Sequence, residues 1–180
     1  MPTSADPLDT AFMRAALGLA RRGLGTVWPN PAVGCVIVQD GAVVGRGWTQ
    51  PGGRPHAETC ALDQAGAAAR GATAYVSLEP CSHWGETPPC AEALIQAGIG
   101  RVVGALEDPD PRVAGQGYAK LAAAGLTLTR DLLAAEAAEL NAGFLLRVGE
   151  GRPLITLKVA SSLDGRIASH SGASRWITGE

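Results

Sequence analysis

Residues 26–49, TVWPNPAVGCVIVQDGAVVGRGWT, place two Val-rich runs on either side of Asp40-Gly41. An Asp-Gly pair between apolar stretches is a strong hairpin signal, and two antiparallel strands are predicted from it. Towards the N-terminus, Phe12, Ala16, Leu19 and Ala20 fall on one stripe of residues 11–22, which predicts an amphipathic helix ending near Gly23 and covering the sheet. Towards the C-terminus, the Ala-rich run HAETCALDQAGAAA (56–69) predicts a helix starting just after Pro55, and TAYVSLE (73–79) reads as a strand. The loop PCSHWGETPPC (80–90) excludes regular structure until a helix can begin at Pro89. RVVGAL (101–106) and LTLT (126–129) are short apolar strands separated by a loop and a small helix around Tyr118 to Ala124. This β-α-β succession predicts an α/β fold with a mixed sheet between helices. A last amphipathic helix is expected over residues 131–146, after which Gly149, Gly151 and Pro153 mark a break resembling a domain linker. The remaining segment begins as a strand with alternating apolar residues and then turns polar and Gly-rich.

Length and composition narrow the function. A chain of 180 residues accommodates one well-buried domain of about 150 residues, with a remainder too short for a second. Hydrophobic residues make up 46% and charged residues 18%, as in a packed globular protein, and with only 4% aromatics the core must be built from Ala, Val and Leu. With 15 basic and 17 acidic residues and no Lys/Arg run long enough to follow a phosphate backbone, nucleic acid is not expected as a partner. The N-terminus lacks a basic start followed by an unbroken apolar core, so neither a signal peptide nor a membrane anchor is expected, and the expected location is the cytoplasm. In that reducing compartment, metal binding or simple burial suits the four cysteines better than disulfides.

One constellation carries chemistry. Pro55-His56-Ala57-Glu58 is followed by Pro80-Cys81 and, after eight intervening residues, by Cys90. Imidazole and thiolates suit tetrahedral zinc, and three protein ligands leave the fourth position for a water whose pKa falls to about 7. A nearby carboxylate that is not a ligand can carry the proton, and Glu58 is the candidate. H-x-E followed by P-C-x-x-C marks zinc nucleobase deaminases, and the wider cysteine spacing here is a departure from it. Successive helical residues turn by about 100°, so His56 and Glu58 can share a site only where the helix is just starting, which Pro55 makes feasible. Cys81 and Cys90 could instead close a short disulfide loop. Cys60 reads as a buried free thiol, Cys35 as core and His170 as a solvated loop residue. Trp84 could stack on a heterocycle or merely stiffen its loop.

WPNPAVGCVIV, PHAE, LEPCSHWGETPPC, EDPDPRVAGQG and LKVASSLDGRIASHSGASRWIT together resemble the RibD family of riboflavin-biosynthesis enzymes over nearly the whole chain. The long PCSHxGxTPPC loop is its most specific signal. The resemblance implies a cytidine-deaminase-like, three-layer α/β/α domain with a central mixed sheet over residues 1–148, followed by a linker and the truncated start of a reductase domain over 149–180. It implies zinc held by His56, Cys81 and Cys90, and Glu58 as general acid/base. The implied reaction is hydrolytic deamination of 2,5-diamino-6-(5-phosphoribosylamino)pyrimidin-4-one, a phosphorylated pyrimidine, to the 5-amino-uracil derivative and ammonia. A homo-oligomer, dimer or tetramer, is implied as well.

Asn30 and His83 match substrate-contacting positions, although Asn30 equally suits a tight turn before Pro31. Thr49 and Glu86 stand near the substrate where the family usually has a His and a basic residue. Arg54 replaces a more usual acidic residue, so that Arg54 and Glu86 are expected to pair across the pocket mouth. Lys158, Ser162 and Asp164 match the opening of the reductase domain, which helps form a substrate and NADPH pocket. About thirty residues cannot build a dinucleotide-binding domain, so NADPH is expected only with a complete reductase. A deaminase of another purine or pyrimidine, or a catalytically silent zinc-binding assembly module, are the alternatives.

Overall fold

The Asp-Gly hairpin forms: β1 (Gly34–Gln39) and β2 (Ala42–Trp48) pair antiparallel, and Asp40 and Gly41 both take positive φ, 50° and 76°, as a two-residue mirror-image turn demands. The computed structural model describes residues 6–85, 88–110 and 114–175. On the other side of β1 lies β3 (Thr73–Val76), antiparallel to it; β4 (Arg101–Gly104) and β5 (Thr127–Thr129) follow in parallel, giving the order β2-β1-β3-β4-β5. The mixed sheet of an α/β fold is therefore present.

Alternation along the strands assigns the two faces. Cys35, Ile37, Ala74, Val76 and Val102 point to one side, where they pack with α2 (Ala57–Ala65), α3 (Cys90–Gln96) and α4 (Gln116–Ala123) through Ala57, Ala61, Ala91, Leu94 and Leu121. Val36, Val38, Tyr75 and Val103 point to the other, against Met13, Ala16 and Leu17 of α1 (Pro7–Ala20) and Ala137 of α5 (Ala134–Leu140). Three layers result, with mostly small side chains between them.

Helix α1 begins earlier than its apolar stripe suggests, because Asp6 caps it by accepting from the Leu8 N–H and Pro7 supplies the first turn. Its buried line runs through Met13, Ala16, Leu17 and Ala20, with Phe12 and Leu19 on the flanks. The helix expected over 131–146 is two helices, α5 and α6 (Ala142–Glu150), broken at Asn141. The buried Asn141 amide accepts from the Ala32 N–H and donates to the Ala32 carbonyl, both at 3.0 Å, so it serves the segment after Pro31 rather than a continuous helix. The strand expected after residue 152 does not form: Ile155 and Leu157 are 85% and 84% exposed. Among the described residues no neighbouring strand offers it the ladder that an isolated strand lacks.

Backbone proximity fixes α2. A Cβ built on Gly47 would stand 2.1 Å from the Ala57 carbonyl oxygen, and one on Gly45 2.1 Å from that of Ala61. Because α2 follows His56 directly and carries Glu58, this contact sets the position of the site. Gly47→Ala is expected to cost about 3 kcal/mol of stability, by analogy with overpacked cores, measured as a lowered urea midpoint with an unchanged m-value.

Candidate active site

His56 occupies the N-cap of α2 with an extended backbone (φ −71°, ψ 160°), while Glu58 lies in the first turn. The change of backbone conformation between the two residues lets both side chains serve one site. Cys81 sits in the loop that leaves β3, and Cys90 opens α3 immediately after Pro89. The loop is closed at its neck: the Cys90 N–H points at Cys81 Sγ at 3.3 Å and the Ala91 N–H donates to the Cys81 carbonyl at 3.1 Å.

His56 Nδ1 lies 3.3 Å from Cys90 Sγ and 3.7 Å from Cys81 Sγ, and the three ligand atoms all lie within 4.8 Å of one another. A zinc tetrahedron with bonds of about 2.0–2.3 Å has ligand–ligand edges of about 3.5–3.8 Å. The donor set and its spacing therefore fit zinc. On the far side of the ring, Asn30 Nδ2 donates to the Gly53 carbonyl at 2.7 Å and lies 3.4 Å from His56 Nε2. The Asn30 N–H also closes a turn onto the Val27 carbonyl, so this residue shapes a turn and reaches the site together.

The electrostatics suit proton and metal chemistry. The Cys81 thiol is pulled down to about 4, first by its hydrogen bond with Cys90 and then, against the cost of burial, by His56. The same pairing, with burial, pushes Cys90 well above the usual thiol range. One thiolate is thus held by the protein's own groups, and a bound dication would favour loss of the second proton. The hydrogen bond with Cys81 raises His56. Glu58 is only 3% exposed, and burial pushes its carboxyl up to about 7, with His56 drawing it down and Cys81 pushing it further up.

A cavity of about 200 Å³ opens onto these groups, lined among others by Asn30, Thr49, Arg54, His83, Asp108 and Arg147. Thr49 lines it from a buried position, with its hydroxyl accepting from the Val33 N–H and directed back to the Val33 carbonyl. Glu86 lies outside the described residues, and with it the expected pairing to Arg54. The Arg54 guanidinium does approach that loop, lying 2.9 Å from where a Cβ on Gly85 would stand. Trp84 is exposed and is not part of the cavity lining. Cys35 is fully buried, Cys60 is half-buried outside the ligand cluster, and His170 is exposed.

Lys158, Ser162 and Asp164 are not brought to the cavity. They are exposed on the C-terminal segment, where the Ser162 hydroxyl donates to Asp164 at 2.5 Å. Sequence reasoning missed Glu79, Asp108, Asp110, Phe144 and Arg147, all of which line the cavity. The acidic run EDPDP was a legible signal for Asp108 and Asp110; nothing local marked Phe144 or Arg147, which line the cavity from α6, after the break at Asn141.

A mixed sheet that presents a His/Cys/Cys cluster and a buried glutamate at a helix start defines a zinc-type nucleobase deaminase scaffold. Residues 7–106 match the cytidine and deoxycytidylate deaminase zinc-binding region, and the chain belongs to that family. Among curated proteins it is 56% identical over 170 residues to the riboflavin biosynthesis protein RibD of Escherichia coli, covering 94% of this chain and 46% of that one. Among solved structures, Acinetobacter baumannii RibD is 53% identical with a TM-score of 0.86, over 96% of this chain and 48% of that one. A diaminohydroxyphosphoribosylaminopyrimidine deaminase/5-amino-6-(5-phosphoribosylamino)uracil reductase from Thermotoga maritima is 43% identical with a TM-score of 0.89, over 96% and 50%. The chain thus spans about half the length of these relatives.

The raised Glu58 has a consequence for stability. Its ordinary value is near 4.5, so the folded chain holds this proton more tightly than the unfolded one, and stability falls as pH rises from about 4.5 to 7. In chelator-treated protein, Glu58→Gln is expected to be more stable than the parent at pH 8 by about 3 kcal/mol, with the gap closing as pH falls towards 4.5. Urea unfolding across that range measures it.

Proposed function

We propose that the chain catalyses hydrolytic deamination of 2,5-diamino-6-(5-phosphoribosylamino)pyrimidin-4-one to the 5-amino-uracil derivative and ammonia, a step of riboflavin biosynthesis. The observation that carries this reading is the buried Glu58 carboxyl beside the His56, Cys81 and Cys90 cluster, with Glu58, His56 and Cys81 lining one cavity. The similarity to RibD proteins supplies the substrate class.

His56 Nδ1 and the two cysteine sulfurs would hold the zinc. When bound, the ion supplies the Lewis acidity that makes water a nucleophile near neutral pH. Glu58, whose pKa of about 7 lets it take and return a proton, accepts one proton of the attacking water and passes it to the ring nitrogen, then takes the remaining proton of the hydroxyl newly attached to the ring carbon and delivers it to the departing amine. Asn30, anchored on Gly53, borders the cavity beside the His56 ring, and His83 stands at its rim. Arg54 and Arg147 bring permanent positive charge to the lining, as a phosphorylated substrate requires.

The reading covers deamination alone. Residues 149–180 are assigned as a linker and the opening of a second domain; Lys158, Ser162 and Asp164 belong to that assignment and not to this cavity. No helix among the described residues is long and apolar enough to cross a membrane. A deaminase of another pyrimidine or purine is the second reading, favoured by Thr49, whose hydroxyl engages the Val33 backbone where the family usually presents a His.

Ammonia release from the riboflavin intermediate and from other bases, with zinc measured on the same sample, decides between the two. Glu58→Gln is expected to keep its zinc and lose turnover by about 10²- to 10⁴-fold. Cys90→Ala is expected to lose both zinc and turnover. Near-normal turnover in Glu58→Gln with zinc bound would overturn the role of Glu58.

A further inference from the structure

Glu79 stands two residues before Cys81 and is 3% exposed. Its carboxylate accepts four backbone N–H groups. Oε2 takes those of Asp108 at 3.3 Å and Gly115 at 2.9 Å, while Oε1 takes those of Gly117 at 2.8 Å and Tyr118 at 3.2 Å. These donors come from the segment leaving β4 and from the start of α4, so one side chain ties together two stretches of chain. The Glu79 N–H also donates to the Leu106 carbonyl at 2.9 Å. The two backbones meet without a spacer: a Cβ on Gly117 would stand 2.0 Å from the Pro80 carbonyl oxygen.

The segment fastened in this way carries Asp108 and Asp110 into the cavity wall, and the Asp110 N–H donates to Asp108 Oδ1 at 2.9 Å. Carboxylates there are acceptors matched to the amino groups of a diaminopyrimidine. We propose that Glu79 is a positioning residue that sets substrate affinity by anchoring Asp108 and Asp110 at the cavity wall. This rests on the pyrimidine reading given above. Glu79 itself does not touch the reacting atoms, since its two oxygens are engaged by backbone donors.

Glu79→Gln tests the proposal, because the amide keeps the volume but turns one acceptor into a donor facing two N–H groups. Zinc content is expected to stay at the parent level, and the Gly115, Gly117 and Tyr118 amides to exchange faster with deuterium. KM is expected to rise about 10- to 100-fold, the range set by a disrupted charged hydrogen bond, with kcat within about threefold of the parent. In an Asp108→Asn background the same change is expected to add little to KM. A fall in kcat with unchanged KM, loss of zinc, or independent effects of the two substitutions overturns the proposal. If Glu79→Gln does not accumulate as folded protein, Glu79→Asp, which keeps the charge on a shorter arm, is judged by the same criteria. A parent chain without ammonia release overturns the pyrimidine reading, while faster exchange in Glu79→Gln then still supports the anchor. Normal parent turnover with unchanged KM in Glu79→Gln overturns the anchor alone.

Discussion

Direct contact between the backbones of α2 and β2 is the constraint on which the site depends. Gly45 and Gly47 present no side chain, so the helix approaches until the Ala57 and Ala61 carbonyls nearly touch the strand. Gly34 makes the matching approach on the opposite face, where a Cβ would stand 1.9 Å from the Ala16 carbonyl. A domain poor in aromatics reaches interior density through such close approaches rather than through bulky side chains. Glu58 is carried by the helix so placed, and its burial follows from the placement. That burial in turn raises the carboxyl pKa to about 7.

The fold was legible wherever local chemistry was decisive. Asp40-Gly41 predicted its turn from the φ angles those residues tolerate, and Pro55 and Pro89 announced two helix starts within a residue or two. Reading failed where long-range contacts overrode local pattern. The apolar periodicity of residues 131–146 gave no sign that Asn141 would turn its amide onto Ala32, more than a hundred positions earlier. Alternating apolar residues after Arg152 resembled a strand, but alternation describes a face and not the partner that a strand must have.

The site divides in the same way. His56, Glu58, Cys81 and Cys90 were legible because soft ligands and a spare carboxylate at these spacings have few other uses. The lining was far less legible. Asp108 and Asp110 arrive from the far edge of β4, Phe144 and Arg147 from the last helix, and Thr49 faces the cavity with its hydroxyl already engaged by backbone. Asp108 shows the electrostatic consequence: burial pushes it up to about 6, with the Asp110 N–H pulling the other way. The charge of this wall is therefore sensitive to small shifts of a segment whose position is set by backbone hydrogen bonds.

The neck of the loop between Cys81 and Cys90 bears on how such a protein can change over time. Two N–H groups at the start of α3 fasten the sulfur and the carbonyl of Cys81, so the ends of the loop are held irrespective of what lies between them. On loop-closure entropy alone, lengthening the chain between the two cysteines costs only about 0.6 kcal/mol per doubling. A change inside the loop and a change at the sulfurs that flank it are thus separable events within one short stretch of chain.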